Sequence, residues 1–351
     1  MASIFTEWSM LKRENKLTAL LLFAMASLLF QGCSLFGGGG PKDDRGQLIG
    51  VQGREGWVMT APFGMVYVPQ GVFHMGQADE DVPSTMISFN RQVTVSAFFM
   101  DEWEISNNRY RQFVDAILRD SVESLGEDYI WQNLYPDTSV WKNDFTHHMY
   151  DPMLEYYYMH PAFDNYPVVG VSWEAAQVFS RWRTDYLNDW RAKKGLFPMP
   201  RFRLPNEAEW EYAAKGGRDM APYPWGGPYT RNGSGCVLAN FKTGRGNYVD
   251  DGYPYTAPVD AFLPNDFGLY NMAGNVAEWC VDAFNPAATM IVWDLNPYNE
   301  DEFEPRKIVR GGSWKDVAYY LETGTRTYEY KDSARSYIGF RNAMSYIGTQ
   351  R

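Results

Sequence analysis

The sequence of 351 residues is poor in the residues that bind soft metals, with 3 cysteines and 4 histidines, and its positive charge is nowhere gathered into a run. Lys and Arg come no closer than short pairs such as Lys12-Arg13 and Lys193-Lys194, and 43 acids against 32 bases leave a net charge of −11. Gripping a nucleic-acid backbone requires clustered cations that neutralise phosphates, so the nucleic-acid-binding class is excluded. The apolar stretch at residues 17–30 would reach roughly 21 Å as a helix, short of the roughly 30 Å hydrocarbon core, which disfavours a spanning helix. No fixed-period repeat is present.

What is abundant is aromatic and turn-forming. With 45 % hydrophobic and 21 % charged residues the chain is a folded globular protein, long enough for one large domain or two medium ones. Its 13 Trp, 24 Tyr and 21 Phe accompany 31 Gly and 20 Pro, so a loop-rich fold held by large flat side chains is expected rather than a long-helix bundle.

Lys12, Arg13 and Lys16 precede the apolar stretch, which ends in Gln31-Gly32-Cys33. Residues 1–32 read as a secretory signal. Gly32-Cys33 resembles a bacterial lipobox, in which Cys33 is acylated and anchors the chain through buried methylenes worth about 0.8 kcal/mol each; the alternative is an ordinary signal peptide with an incidental cysteine. Residues 33–60, containing Gly37 to Gly40 and Pro41-Lys42-Asp43-Asp44-Arg45, read as a tether. Cys236 and Cys280 then remain, as one disulfide or as two small core residues.

Over residues 65–76 the pattern predicts two short strands around Pro69-Gln70-Gly71, and residues 92–100 alternate again. A helix is predicted after Ser106 or Asn107 as N-cap, with Tyr110, Phe113, Val114, Ile117 and Leu118 on its apolar side. A second is predicted over about 172–190, with Ala175, Phe179, Trp182 and Tyr186 facing inward. A third begins at Asn206, where Glu209 completes a capping box, and stops at Gly216. Beyond Gly217 the only strands expected are 307–310 and 337–341.

Seven motif blocks in order carry a resemblance. Among them are Arg203-Leu204-Pro205-Asn206-Glu207-Ala208-Glu209-Trp210, Asn271-Met272-Ala273-Gly274-Asn275-Val276-Ala277-Glu278-Trp279, Val309-Arg310-Gly311-Gly312-Ser313-Trp314 and Gly339-Phe340-Arg341. Together they make residues 61–346 similar to the formylglycine-generating-enzyme family, the sulfatase-modifying-factor domain. The resemblance implies an α+β fold, C-type-lectin-like, with little regular secondary structure. It also implies catalysis by a cysteine pair that binds copper(I) just beyond the Arg-Gly-Gly-Ser block. Residues 315–341 contain no cysteine, so no copper and no oxidase chemistry are expected.

A related branch of that family uses three histidines to hold iron. His74, His147, His148 and His160 form no such set and are read as surface or hydrogen-bonded residues. Calcium is the metal that the resemblance still implies, through hard oxygen ligands. By motif position one site would use Asn271, Gly274, Val276 and Glu278, and the other Asn240, Phe241, Asp251 and Tyr253. The competing reading is that these side chains only hydrogen-bond loop backbone.

The lipobox together with the strings Gly64-Met65-Val66-Tyr67-Val68-Pro69 and Asn90-Arg91-Gln92-Val93-Thr94-Val95 resembles, more narrowly, the GldK/PorK lipoproteins of type IX secretion and gliding motility in Bacteroidetes, with the GldJ lipoproteins as paralogues. That resemblance implies a non-catalytic scaffold, lipid-anchored at the periplasmic face of the outer membrane, that self-associates in a large ring with a GldN/PorN-like partner. Insertions are expected near 119–165 and 283–306. The first carries candidate partner-binding aromatics, Tyr129, Trp131, Trp141, Tyr156 and Tyr157; the second, with Asp294, Glu300, Asp301, Glu302 and Glu304, reads as a solvated loop. The enzyme class and a lectin-like glycan- or peptide-binding module stand as alternatives, since fold alone does not define function.

Overall fold

The computed structural model describes residues 59–77, 86–144 and 151–348. The signal, lipidation and most of the tether readings, Cys33 included, lie outside the described residues, as do His147 and His148. No helix among the described residues is long and apolar enough to cross a membrane.

Ten short strands among the described residues are shared by three sheets within the unit that spans residues 60–347. In the first, β1 (Met65–Val68) and β4 (Phe98–Asp101) pair antiparallel; β10 (Ala343–Ser345) joins β4 to β5 (Phe202–Arg203), so the last strand sits between elements from early and middle sequence. β2 (Gly71–Met75) and β3 (Arg91–Val95) form a separate ribbon. The third sheet has the order β8 (Thr327–Tyr330), β7 (Arg306–Arg310), β6 (Ala277–Ala283) and β9 (Ile338–Gly339), with β6 and β9 parallel.

Three helices of eight residues or more pack against these sheets. In α1 (Asn107–Asp120) the side chain of Ser106 accepts from the Arg109 amide, and the helix buries Tyr110, Phe113, Val114 and Ile117. Helix α2 (Trp173–Lys193) is capped by Ser172 and lays Phe179 on Tyr110, ring centroids 5.6 Å apart and stacked. Helix α3 (Glu207–Lys215) starts at the Asn206–Glu209 capping box and ends at Gly216, whose φ of 59° is the left-handed stop. Tyr110, Phe113, Phe179, Trp279 and Phe340 centre one core; Phe98, Met100, Trp210 and Ile308 centre a second.

Several expectations need correcting. Tyr186 does not face inward; it is exposed and stacks on half-buried Trp182. The alternation over 92–100 belongs to two strands in different sheets, because the chain changes partners at Ser96, whose amide is taken by Asn296 Oδ1. Strand β6 was not expected: it is buried on both faces, so it lacks a period of two. Only Ile338 and Gly339 of 337–341 join a ladder, since Arg341 turns inward to an acid.

Candidate functional site

Where α3, β6 and the final turn before β10 converge, the sequence buries charge. Arg341 and Glu278 are fully buried and paired, with Nη2 to Oε1 at 2.6 Å and Nε to Oε2 at 2.7 Å. Trp210 donates its indole N–H to Glu278 Oε2 at 2.8 Å. Arg341 also donates to the carbonyls of Tyr270 at 2.8 Å and Asp101 at 3.1 Å, tying three loops to one guanidinium. Beside it, Glu104 accepts from the side-chain amides of Asn271 and Asn275, each at 3.0 Å. Burial pushes the Glu104 pKa up to about 8; the Glu278 charge adds to this, while Arg341 and the two asparagines oppose it.

A second buried network lies one turn of α3 further on. Glu211 bonds the Gly76 amide at 2.7 Å and Lys215 at 2.9 Å, and pairs with Arg310. Burial works against this carboxylate, yet Lys215 and Arg310 hold it below its ordinary range. Arg310 donates to the Thr325 carbonyl at 2.8 Å, and Arg326 reaches Glu207 at 2.6 Å, so the chain after β7 is pinned to α3.

The loop entering β6 is shaped by the same needs. Asn271, Gly274 and Asn275 have φ of 50°, 77° and 63°. A Cβ at Gly274 would lie 2.3 Å from the Asn240 carbonyl oxygen, so only glycine allows this approach. Asn275 in turn accepts from Asn240 Nδ2 at 3.2 Å and from the Ala257 amide at 2.8 Å.

The two calcium sets fare differently here. Glu278 receives four contacts, three from Arg341 and one from Trp210, which fills the lone-pair capacity of a carboxylate. Among the side chains of the first set (Asn271, Gly274, Val276, Glu278), whose Gly274 and Val276 members would offer carbonyls, the Asn271 Oδ1 is buried and without a hydrogen-bond partner. The carboxylate of this set is therefore committed to Arg341 and Trp210 and is not an open ligand while the ion pair stands. In the second set Asn240 Oδ1 is likewise buried and unpartnered. Asp251 accepts only the amides of Phe241 at 2.9 Å and Tyr253 at 3.0 Å, and burial pushes its pKa up, as a nearby cation would reverse. Asn240, Phe241, Asp251 and Tyr253 thus fit a hard cation. No cluster of three or more His, Cys, Asp or Glu suited to a metal occurs among the described residues.

Residues 315–321 follow the Arg-Gly-Gly-Ser block as thiol-free chain, mostly half-buried, with Val317 and Tyr320 exposed and only Leu321 buried. Asp316 accepts the Ser313 hydroxyl at 2.6 Å, and burial raises its pKa against that bond. Lys315 lies over the Tyr337 ring at 3.1 Å, and Leu321 is completely buried against Tyr223, Ala239 and Phe241. Both remaining thiols are free: Cys236 is exposed and Cys280 buried, so the core reading holds for Cys280 alone. His74 contacts exposed Asp219 at 2.7 Å, and His160 Nδ1 accepts the Ala162 amide, so neither gathers with metal ligands.

The candidate partner aromatics split. Tyr129, Trp131 and Tyr156 are exposed, but Trp141 and Tyr157 are core residues, packed together at 5.0 Å with Trp141 stacked near Trp314, and offer no surface. The second insertion, expected to be merely solvated, exposes Met290, Ile291, Trp293, Leu295 and Phe303. Its apolar content was visible among the acids, but periodicity gave no sign of which side faces out.

Comparison with known proteins places this geometry. Residues 58–346 match the family of the sulfatase-modifying factor enzyme 1-like domain, and the chain belongs to that family. It is 31 % identical to the formylglycine-generating enzyme of Mus musculus over 310 residues, covering 81 % of this chain and 76 % of that protein. It is 30 % identical to the inactive C-alpha-formylglycine-generating enzyme 2 of Bos taurus, covering 80 % of this chain and 87 % of that one. The solved structure of PvdO from Pseudomonas aeruginosa shares the fold, with a TM-score of 0.56 at 22 % identity, over 80 % of this chain and 94 % of its own.

Proposed function

We propose that this protein is a non-catalytic member of the family, a lipid-anchored scaffold that works by assembly. The observation that carries the reading is the stretch Lys315-Asp316-Val317-Ala318-Tyr319-Tyr320-Leu321, where the family resemblance calls for a thiol pair and where, as far as Arg341, the chain has no cysteine. A segment without thiols offers copper(I) none of the soft ligands it demands. A family member named as inactive, at 30 % identity, shows that the domain also occurs in a protein described without the activity.

In this reading Cys33 carries the lipid and holds the domain at the periplasmic face of the outer membrane, as in the GldK/PorK lipoproteins of type IX secretion. The exposed Tyr129, Trp131 and Tyr156 meet a GldN/PorN-like partner or a second copy in a ring. Calcium, if bound, would be held by Asn240, Phe241, Asp251 and Tyr253, where it would supply only charge that ties the 240–253 loop. Tyr129 and Trp131 lie on a surface where aromatic side chains bury large area at low entropic cost.

The test is mild detergent extraction of membranes followed by native sizing and mass spectrometry. Co-migration with a second periplasmic protein in a megadalton-sized species supports the scaffold. A lone chain of the monomer mass, or conversion of a cysteine peptide to formylglycine by the purified protein, removes it.

A further inference from the structure

On the side of the molecule formed by the start of α1 and the middle of α2, a cavity of about 570 Å³ opens between Phe63, Arg109, Trp182, Tyr186 and Phe202. Its walls are aromatic: Trp182 and Tyr186 stack with centroids 5.5 Å apart, and Phe202 lies 4.1 Å beneath the Arg183 guanidinium. Phe63 and Tyr186 are largely exposed, so the cavity is reached from solvent.

Its charged side chains are not all directly paired. Arg183 is committed to Asp101 through two bonds of 2.7 and 2.8 Å, and Asp164 is paired with Arg111. Arg109 has neither kind of partner among the described residues; its Nη1 is buried without a hydrogen bond, and its guanidinium rests near the Trp103 ring at 5.7 Å. Burial lowers its pKa, though Asp101 opposes the shift, and a guanidinium stays charged at any ordinary pH. The chain also makes room for it. Gly64 has a φ of 75°, and a Cβ there would stand 2.5 Å from Arg109 Nη2.

An unpaired, partly desolvated cation at the rim of an aromatic cavity is costly unless an anion joins it. We infer that this cavity binds a monocarboxylate carried on an aromatic or branched apolar group, with Arg109 as its counter-ion. A guanidinium with no direct partner, acted on by the Asp101 and Glu102 carboxylates only from beyond ion-pair distance, matches a single carboxylate; a phosphate dianion would bring a second charge that faces Asp164. The carboxylate can belong to a free acid or to the C-terminal residue of a polypeptide, and the geometry of recognition is the same. This site is independent of the scaffold reading and stands or falls without it.

The test is calorimetric titration of the full chain with hydrocinnamate, with N-acetylglycyl-phenylalanine, and with the amide of each. Both acids, or one of them, should bind, and the matching amide should bind about tenfold weaker or less, because the lost contact is charge-assisted. Stronger binding of the peptide acid assigns the site to chain ends; stronger binding of hydrocinnamate assigns it to free acids. Arg109→Gln should abolish the difference between acid and amide. Tyr186→Ala, at an exposed position that does not endanger folding, should weaken the acids several-fold by removing part of the aromatic wall. Equal affinity of acids and amides, no binding of either acid at about 10 mM, or unchanged affinity in both variants overturns the proposal.

Discussion

Arg341→Met removes the cation on which three loops converge. In the folded protein Glu278 would lose three of its four contacts, the Tyr270 and Asp101 carbonyls would lose a donor each, and a fully buried carboxylate would face Glu104 with no counter-charge. Breaking one side of a buried pair costs about 3–5 kcal/mol, and the orphaned carbonyls place this case at the upper end. Measured by urea unfolding with tryptophan fluorescence, such a loss should lower the midpoint by roughly 1–2 M. Glu278→Gln alone should cost a similar amount, by stranding the guanidinium. Combining Glu278→Gln with Arg341→Met removes both charges, keeps an acceptor for Trp210, and should recover at least half of the single-variant loss. A single-variant loss below about 1 kcal/mol, or costs that simply add in the double variant, would refute the claim that this pair ties the loops together.

Glu104 gives a pH signature. Its folded pKa of about 8 lies above the ordinary value of 4.5, so between these limits the native state binds the proton that the unfolded chain has released. Stability from this group therefore falls as pH rises through that window and levels off above it; Glu104→Gln should flatten the curve there, and an unchanged slope would assign the dependence to other groups. Chelation of calcium should lower the melting temperature of the wild type but not of Asn240→Ala combined with Asp251→Asn, whereas equal shifts in both would place any cation elsewhere. Cys33→Ser should move the protein from the membrane to the soluble periplasmic fraction with its melting temperature unchanged. Membrane retention of that variant would mean that something other than the cysteine anchors it.

The helices were the most legible part of the sequence because their signals are local. Ser106, one of the two cap candidates, and the Asn206–Glu209 box cap their helices, the second helix starts where it was expected with Ser172 as its cap, and Gly216 ends α3 with the left-handed turn that glycine allows. Sheet membership was not legible, because β3 and β4 are neighbours in sequence whose partners come from distant segments, and β6 is buried on both faces. The candidate cation residues of the β6 loop were found by their order in a motif, but order does not say where a carboxylate points; that Glu278 is filled by Arg341 emerges only in three dimensions. Burial misled for the aromatics as well. Tyr156 and Tyr157 are adjacent in sequence, yet one is exposed and the other packs against Trp141.

The same geometry explains why the likeness to family members about 30 % identical is concentrated in a few motif blocks. The blocks that carry the likeness contribute Trp210, Glu211, Asn275, Glu278, Arg310 and Arg341, and all six are buried in the networks that fasten loops to α3 and β6. Exchanging any of them strands a buried partner, a cost of several kcal/mol against a total stability of about 5–15 kcal/mol, so these residues resist change whatever the protein does. Residues 315–321 are tied in differently: Asp316 accepts the Ser313 hydroxyl, the Tyr319 hydroxyl accepts from Gln77 at 3.2 Å, and Leu321 fills apolar space. Identity in the motif blocks therefore reports in large part the buried networks that hold the loops of the domain together.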